Sequence, residues 1–188
     1  LALNYAWTQR TVGRAIYPRR GYVLTLQGGG AAEALFSETS FIRLYARHTH
    51  HFRAGDNGRL VLRGELGGVL AETREGIPTD YLFRAGGDNS VRAYAFESLG
   101  RTLEGGVASV RYLATGSVEY NYFFNRDWGM ALFVDAGDAA DSFGSLSPVF
   151  GYGVGARLRT PIGPFRLDVA YGQRDENVRL HFSVGLSF

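Results

Sequence analysis

Hydrophobic and polar residues alternate along most of the chain with a period of two, the spacing that predicts β-strands. The alternation is clearest in four segments: 116–124, 129–136, 165–172 and 179–188. It predicts five further strands, at 1–11, 22–30, 40–52, 59–70 and 150–160. No segment has the 3.6-residue period of an amphipathic helix. We therefore expect an all-β fold with nine antiparallel strands.

One face of the predicted strands carries Leu, Val, Tyr and Phe, and the other carries mainly charged and small polar residues. A soluble β-sandwich shows the same alternation, because one face of each sheet packs on a core. Most of these strands have roughly 9–12 residues, which is enough to cross a bilayer at a tilt, whereas strands of soluble proteins are about half as long. The length therefore favours a transmembrane antiparallel β-barrel.

The arginines agree with a barrel that has a polar interior. Eight of them lie on the polar phase of their strands: Arg43, Arg47, Arg59, Arg63, Arg157, Arg159, Arg166 and Arg179. Facing lipid, each would cost about 2–4 kcal/mol near the membrane midplane. In a wet lumen the cost is small, because carboxylates are available as partners: Glu65, Glu119, Asp135 and Asp168.

The predicted connections alternate in length, as in outer-membrane barrels with short periplasmic turns and long extracellular loops. The short ones are 53–58, 125–128 and 160–164, 12–21 is intermediate, and the long ones are 31–39, 71–115, 137–149 and 173–178. Aromatic side chains that suit the lipid headgroup level lie near the predicted strand ends: Trp7, Tyr22, Tyr81, Tyr120, Tyr122, Phe123, Phe124, Trp128, Tyr152 and Tyr171.

Composition excludes several classes of function. The 188 residues contain no Cys and no Lys, so all twenty basic residues are Arg, and disulfides, thiolate sites and a Walker A loop are excluded. The net charge of +2 is too small to suggest a nucleic-acid partner. No Gly-x-Ser-x-Gly elbow or Ser/His/Asp set stands out. We therefore expect no enzymatic activity and no cofactor.

Two polar clusters could hold a metal ion. His48 and His50 share a strand face next to His51, and Asp135 and Asp138 precede Asp141 without the ligand order of an EF-hand. A polar strand end explains the histidines more simply, and the aspartates lack that ligand order, so we expect no metal.

The longest predicted connection, 71–115, holds the most informative segment, 82–99. A connection of roughly forty residues in a compact protein is usually functional. Gly86 and Gly87 permit unusual backbone angles, and Arg92 is flanked by the apolar anchors Val91 and Tyr94. A solvated hairpin tip explains this string poorly, so we expect it to dock on another part of the molecule.

This segment resembles the Val-Arg-Gly-Tyr/Phe loop of the bacterial outer-membrane insertase superfamily, which includes BamA, TamA and the two-partner secretion transporters. The resemblance continues in order through 116–120, 133–138 and 160–168, and covers most of the chain from about Tyr22. The amino-acid sequence of 83–90 and 114–117 is most similar to that of the TamA branch. Ala93 stands where the family has Gly, which would cost about a kcal/mol if that position needs a positive φ.

The resemblance implies that the long connection folds back into the barrel lumen. Its arginine, Arg92, would meet the wall acids Glu119 and Asp135, which the alternation places on the polar face of adjacent strands. The residues implied to form this latch are Gly86, Gly87, Val91, Arg92, Ala93 and Tyr94.

The C-terminal strand resembles the β-signal by which assembly machinery recognises an outer-membrane client. Its seam residues are implied to be Phe182, Val184, Gly185, Leu186 and Phe188, and we expect Gly185 to weaken the pairing of this strand.

The resemblance also implies a domain organisation. Residues 1–188 would be the C-terminal part of a 16-stranded barrel in the bacterial outer membrane, without its POTRA domains and N-terminal strands. The missing leader and initial Met agree with a fragment, so we expect either the absent barrel half or self-association to cover the sheet edges. The implied partners are the lipid bilayer, client outer-membrane β-strands and a TamB-like inner-membrane-anchored protein.

The implied function is assembly of autotransporter-type β-barrel clients through the lateral seam. Three alternatives remain open: a two-partner secretion pore, a passive structural barrel or adhesin, and a soluble lipocalin-like carrier.

Overall fold

The computed structural model describes residues 2–12, 18–32, 39–161 and 163–185. Nine strands form one antiparallel sheet: β1 (Ala2–Arg10), β2 (Gly21–Ala31), β3 (Phe41–Ala54), β4 (Gly58–Leu70), β7 (Tyr112–Phe123), β8 (Trp128–Ala140), β9 (Val149–Thr160), β10 (Gly163–Gly172) and β11 (Asn177–Val184). Each strand pairs with its neighbours in chain order. The predicted all-β fold with nine strands is confirmed.

The two faces of the sheet differ as the alternation predicts. On the outer face, large apolar side chains are exposed, among them Leu132 at 49% and Val169 at 42%. The inner face carries buried polar residues, including Asn121 and Asp135, which are both fully buried. A packed soluble core would hide the apolar face instead, so the burial pattern is that of a barrel wall that faces lipid.

The sheet curves around its inner face. Side chains of β3, such as His51, and of β10 and β11, such as Arg166 and His181, line one common cavity. In the sheet order, β10 and β11 lie five and six positions from β3, and such distant strands can share a cavity only if the sheet bends into a trough.

The connection 71–111 fills one end of this trough. It contains a short hairpin of β5 (Arg101–Leu103) and β6 (Gly106–Ala108), and two isolated bridges, Phe83 with Val110 and Ala85 with Leu99. Its buried residues join those of the sheet in one apolar cluster: Phe83, Ala85, Val91, Ala93, Tyr94, Leu99 and Val110 against Val69, Leu113, Phe133, Val149 and Ala170. The connection therefore supplies much of the core that lies against this curved sheet.

Some sequence-based expectations are wrong in detail. The connection between β10 and β11 spans only 173–176 and is as short as 124–127, so a long loop at 173–178 is not formed. Phe123 faces inward and is buried under the Arg159 guanidinium. Tyr81 lies in a 3-10 turn (Thr79–Tyr81), where its ring packs on Phe41. Neither aromatic residue belongs to a headgroup belt.

A second 3-10 turn covers Phe143–Ser145. Within the described ranges, no helix is long and apolar enough to cross a bilayer.

Candidate functional site

The loop tip, defined as residues 86–94, is a compact double turn. Gly86 and Gly87 adopt positive φ angles of 107° and 92°, which glycine tolerates best. The Gly87 N–H lies within hydrogen-bond distance of the carbonyl oxygens of Val91 (3.2 Å) and Tyr94 (3.0 Å). The Tyr94 N–H also donates to the Val91 carbonyl at 3.1 Å, so Arg92 and Ala93 are the two central residues of a β-turn. This turn directs Arg92 at the inner face of the sheet.

Arg92 binds Asp135 of β8 through three hydrogen bonds. Its Nε donates to Oδ2 at 2.8 Å, its Nη2 donates to Oδ1 at 2.9 Å, and its backbone N–H donates to Oδ2 at 3.1 Å. Two parallel bonds from the guanidinium fork form the bidentate geometry that arginine offers to carboxylates. The backbone bond fixes the turn as well as the side chain.

The same guanidinium reaches two further strands. Its Nη1 donates to Glu119 of β7 at 2.6 Å and to Asp168 of β10 at 3.2 Å, and its Nη2 donates to the Ser117 hydroxyl at 3.3 Å. The ring of Phe133 lies 3.4 Å from the guanidinium carbon, a stacking contact that arginine favours. Arg92 therefore ties the loop tip to three strands of the wall.

A second arginine completes the charge cluster. Arg157 of β9 pairs with Glu119 at 3.2 Å and with Asp168, and its Nε donates to Asn121 at 3.1 Å. Three buried carboxylates thus surround two guanidinium groups. Burial opposes the charge on Arg92, but the hydrogen bonds and charges of Asp135 and Glu119 outweigh it and raise the pKa of Arg92 above its usual range. Arg92 is therefore held in its charged form.

Strand β9 makes room for the tip by presenting glycine at successive inner positions. A Cβ at Gly151 would lie 2.5 Å from the Ala93 Cβ, and one at Gly153 would overlap the Phe133 ring. A Cβ at Gly155 would overlap Asp168. We call Gly151, Gly153 and Gly155 the glycine track. It lets the loop tip and the charge cluster approach the β9 backbone directly.

The last two tip residues, Ala93 and Tyr94, are fully buried. Ala93 is not among the residues with positive φ, and its methyl group packs against Gly151 and Gly172. Alanine at this position therefore causes no backbone strain. The Tyr94 hydroxyl donates to the Phe150 carbonyl at 3.3 Å and accepts from the Arg174 N–H at 3.2 Å.

The structure brings together more of the site than the sequence indicated. Arg92 lies against Glu119 and Asp135, the two acids that the family resemblance implied as its partners. Asp168 and Arg157 also join it, although the sequence showed only that both lie on the polar phase. Among the described residues, no group of three or more His, Cys, Asp or Glu could hold a metal ion.

Two of the predicted seam residues, Phe182 and Val184, lie on the last strand. Phe182 and Val184 project from the outer face and are 63% and 40% exposed. Strand β11 stays in register with β10 from Asn177 to Val184 and ends just before Gly185, whose N–H donates to the Pro164 carbonyl at 2.8 Å. That Gly185 weakens the pairing stays a prediction. Leu186 and Phe188 lie outside the described residues.

Comparisons with known proteins agree with this architecture. The model of the Omp85 superfamily domain matches residues 1–188. The chloroplast outer envelope protein 80 of Arabidopsis thaliana is 35% identical over 108 residues, which are 55% of this chain and 14% of that protein. The crystal structure of Haemophilus ducreyi BamA lacking POTRA domains 1–3 matches the whole chain with a TM-score of 0.78 at 18% identity, and the match covers 42% of that chain. The chain thus spans less than half the length of the relatives it matches.

Proposed function

The chain belongs to the Omp85 superfamily, and from this premise we propose that it assembles outer-membrane proteins by adding client β-strands at an edge of its sheet. This superfamily consists of non-enzymatic insertases and transporters. As a member, the chain lies in an outer membrane, and its apolar outer face contacts the lipid bilayer. Autotransporter-type barrels are the proposed clients.

The observation that carries the proposal is that the sheet has unpaired edge strands while the loop tip is held on its inner face by Arg92. Within the described ranges, β11 pairs with β10 only, and β1 pairs with β2 only. Unpaired strand edges accept an added strand through backbone hydrogen bonds. No nucleotide is needed, because client folding and burial in lipid supply the free energy.

We propose that residues 1–188 are the C-terminal part of a 16-stranded barrel. The open nine-stranded sheet and the 42% coverage of the BamA chain support this organisation. Unpaired backbone groups in lipid cost several kcal/mol each, so the remaining N-terminal strands, or a second copy of this chain, must cover the edges. POTRA domains would belong to the part outside these residues.

We propose that Arg92 acts as a latch that holds the connection inside the barrel while clients pass through the seam. The contacts of its guanidinium with Glu119, Asp135 and Asp168 support this role. A TamB-like inner-membrane-anchored protein is the proposed partner, on the strength of the sequence resemblance of 83–90 and 114–117 to TamA.

The decisive experiment compares Arg92→Ala with Arg101→Ala. Both changes remove a guanidinium from the same connection, but Arg101 is exposed on the β5–β6 hairpin. We expect Arg92→Ala to expose the connection to protease and to slow assembly of an autotransporter client, whereas Arg101→Ala leaves both unchanged. Wild-type behaviour of Arg92→Ala in both assays would refute the latch.

A second candidate function is a secretion pore, which the arginines on the inner face favour. A pore would conduct ions with an anion selectivity that depends on these arginines. Current measurements in planar bilayers test for the pore. Cross-linking of client strands to β11 tests for the assembly factor, because a pore is not expected to give such cross-links.

A further inference from the structure

A cavity of about 320 Å³ lies on the inner face between the loop tip and the short turns. One wall comes from β3 and β4, with His51, Arg59 and Arg63, and the opposite wall comes from β10 and β11, with Arg166 and His181. The cavity therefore spans the trough and touches both sides of the curved sheet.

Three of its arginines have no carboxylate partner among the described residues. Arg59 donates to the Pro18 carbonyl at 3.1 Å, and Arg63 donates to the carbonyls of Asp88 and Ser90 at 3.4 and 2.6 Å. Arg166 forms no ion pair with a described residue, and it lines the cavity from β10, opposite Arg59 and Arg63 of β4. Like charges therefore face one another across the cavity.

The acids that line the cavity are already engaged. Glu119 and Asp168 hold Arg92 and Arg157, and Asp88 at the loop tip contacts His181. The direct contacts of these carboxylates with basic side chains are with Arg92, Arg157 and His181, and not with Arg59, Arg63 or Arg166.

Four buried nitrogen atoms at the cavity also lack a hydrogen-bond partner. They are Nε of Arg59, Nε of Arg63, Nδ1 of His51 and Nε2 of His181. Buried polar groups are rarely left unpaired, since each one pays its desolvation cost without compensation. Unpaired nitrogens and unmatched positive charges in one cavity indicate that an anion belongs there.

We propose that this cavity, called here the basic pocket, binds a phosphate-type oxyanion between Arg59, Arg63 and Arg166. Several guanidinium groups that line one cavity suit a phosphate, which offers two negative charges and three or more acceptor oxygens. The hydroxyls of Thr49 and Ser183 add neutral donors at the rim. The volume exceeds that of one inorganic phosphate, so a phosphate monoester or a lipid phosphate headgroup fits.

Binding would connect the two walls of the trough. Arg59 and Arg63 lie on β4, whereas Arg166 lies on β10, which is four strands away in the sheet order. An anion bound by all three guanidinium groups attracts each of them and so offsets the repulsion among them. The bound phosphate is therefore expected to stabilise the curved sheet, whether or not the chain assembles clients.

The test uses inorganic phosphate and the folded protein in detergent, at constant ionic strength kept with chloride. We expect phosphate to raise the melting temperature and to give saturable binding in titration calorimetry. The double variant Arg59→Gln, Arg166→Gln should bind about tenfold more weakly or worse, because it loses two charge-assisted contacts. Arg126→Gln, an exposed change in a short turn, should bind like the wild type.

A second arm identifies the source of the phosphate. The melting temperature of the protein is compared between vesicles of phosphatidylcholine with phosphatidic acid and vesicles of phosphatidylcholine alone. Stabilisation by phosphatidic acid indicates a lipid headgroup, whereas stabilisation by inorganic phosphate alone indicates a soluble phosphate.

If neither probe stabilises the wild type, or if the double variant and Arg126→Gln respond equally, the proposal is overturned. If the double variant folds poorly, the single variant Arg166→Lys takes its place in the test. It keeps the charge and should retain part of the binding.

Discussion

The guanidinium of Arg92 and the carboxylate of Asp135 form a closed bidentate pair in which Asp135 is fully buried and Arg92 is 5% exposed. Such a pair is costly to break, because removal of one charge leaves the other desolvated and unpaired. Because the pair lies between a loop and the barrel wall, we expect docking of the loop tip to depend on it.

Asp135→Asn is expected to destabilise the protein by about 3 kcal/mol, because the amide keeps the shape of the carboxylate but leaves part of the Arg92 charge uncompensated. Urea unfolding in detergent measures the change. Asp127→Asn, a matched change in an exposed turn, should stay within about 0.5 kcal/mol of the wild type. An equal effect of both changes would show that Arg92 does not depend on this carboxylate.

Gly151→Val is expected to push the loop tip off β9, because the new side chain would occupy the space of the Ala93 methyl group. The cost should be about 1–3 kcal/mol, as for other overpacked positions. Gly64→Val is the matched control, since nothing lies within 4 Å of a Cβ at that strand position. Protease sensitivity of the connection 71–111 should rise for Gly151→Val alone, and a similar rise for both variants would contradict the role of the glycine track.

Charge on the outer face should be penalised according to depth. Leu132→Arg, in the middle of β8, is expected to reduce folding stability in lipid vesicles by about 2–4 kcal/mol. Phe124→Arg lies just beyond the end of β7 and should cost about 0–1 kcal/mol, because the interface is wet. Equal costs at the two positions would mean that the outer face does not cross the hydrocarbon.

Docking of the loop tip should not change between pH 7 and pH 10. The pKa of Arg92 is raised in the folded state, so its contribution to stability is complete below the unfolded value and is lost only above the folded one. Proteolysis of the connection, normalised to an unfolded substrate, should therefore proceed at the same relative rate across this range. Accelerated cleavage at pH 10 that is absent in Arg92→Ala, which has no titratable group at this position, would argue against a permanently charged Arg92.

Periodicity was sufficient to predict the sheet, since apolar residues such as Leu132 and Val169 alternate with polar ones along each strand. It failed at the junctions, where Tyr112–Thr115 and Gly137–Ala140 carry no clear alternation although β7 and β8 include them. The connection after β10 was also misjudged, because Gln173 and Arg174 resemble the start of a long polar loop.

The charge cluster could be predicted only in part. The polar phase places Asp168 and Arg157 on the inner face, but it does not give their height along the barrel relative to Arg92. That height depends on the register of β8 with β9 and of β9 with β10, which pairs Asp135 with Gly151 and Asp168 with Gly155. Register between long strands follows from the turns and the packing of the whole sheet, which a local pattern does not contain.

The Nη1 atom of Arg92 contacts acids on β7 and on β10, strands that lie three positions apart in the sheet. Any widening of the barrel at this level separates these acids and breaks at least one of the two contacts. Barrel diameter and loop occupancy are therefore thermodynamically linked, and the linkage is reciprocal. If a strand enters the seam, as proposed above, and enlarges the circumference, it should weaken the contacts of the loop tip, and withdrawal of the loop tip should lower the cost of enlargement by the same amount.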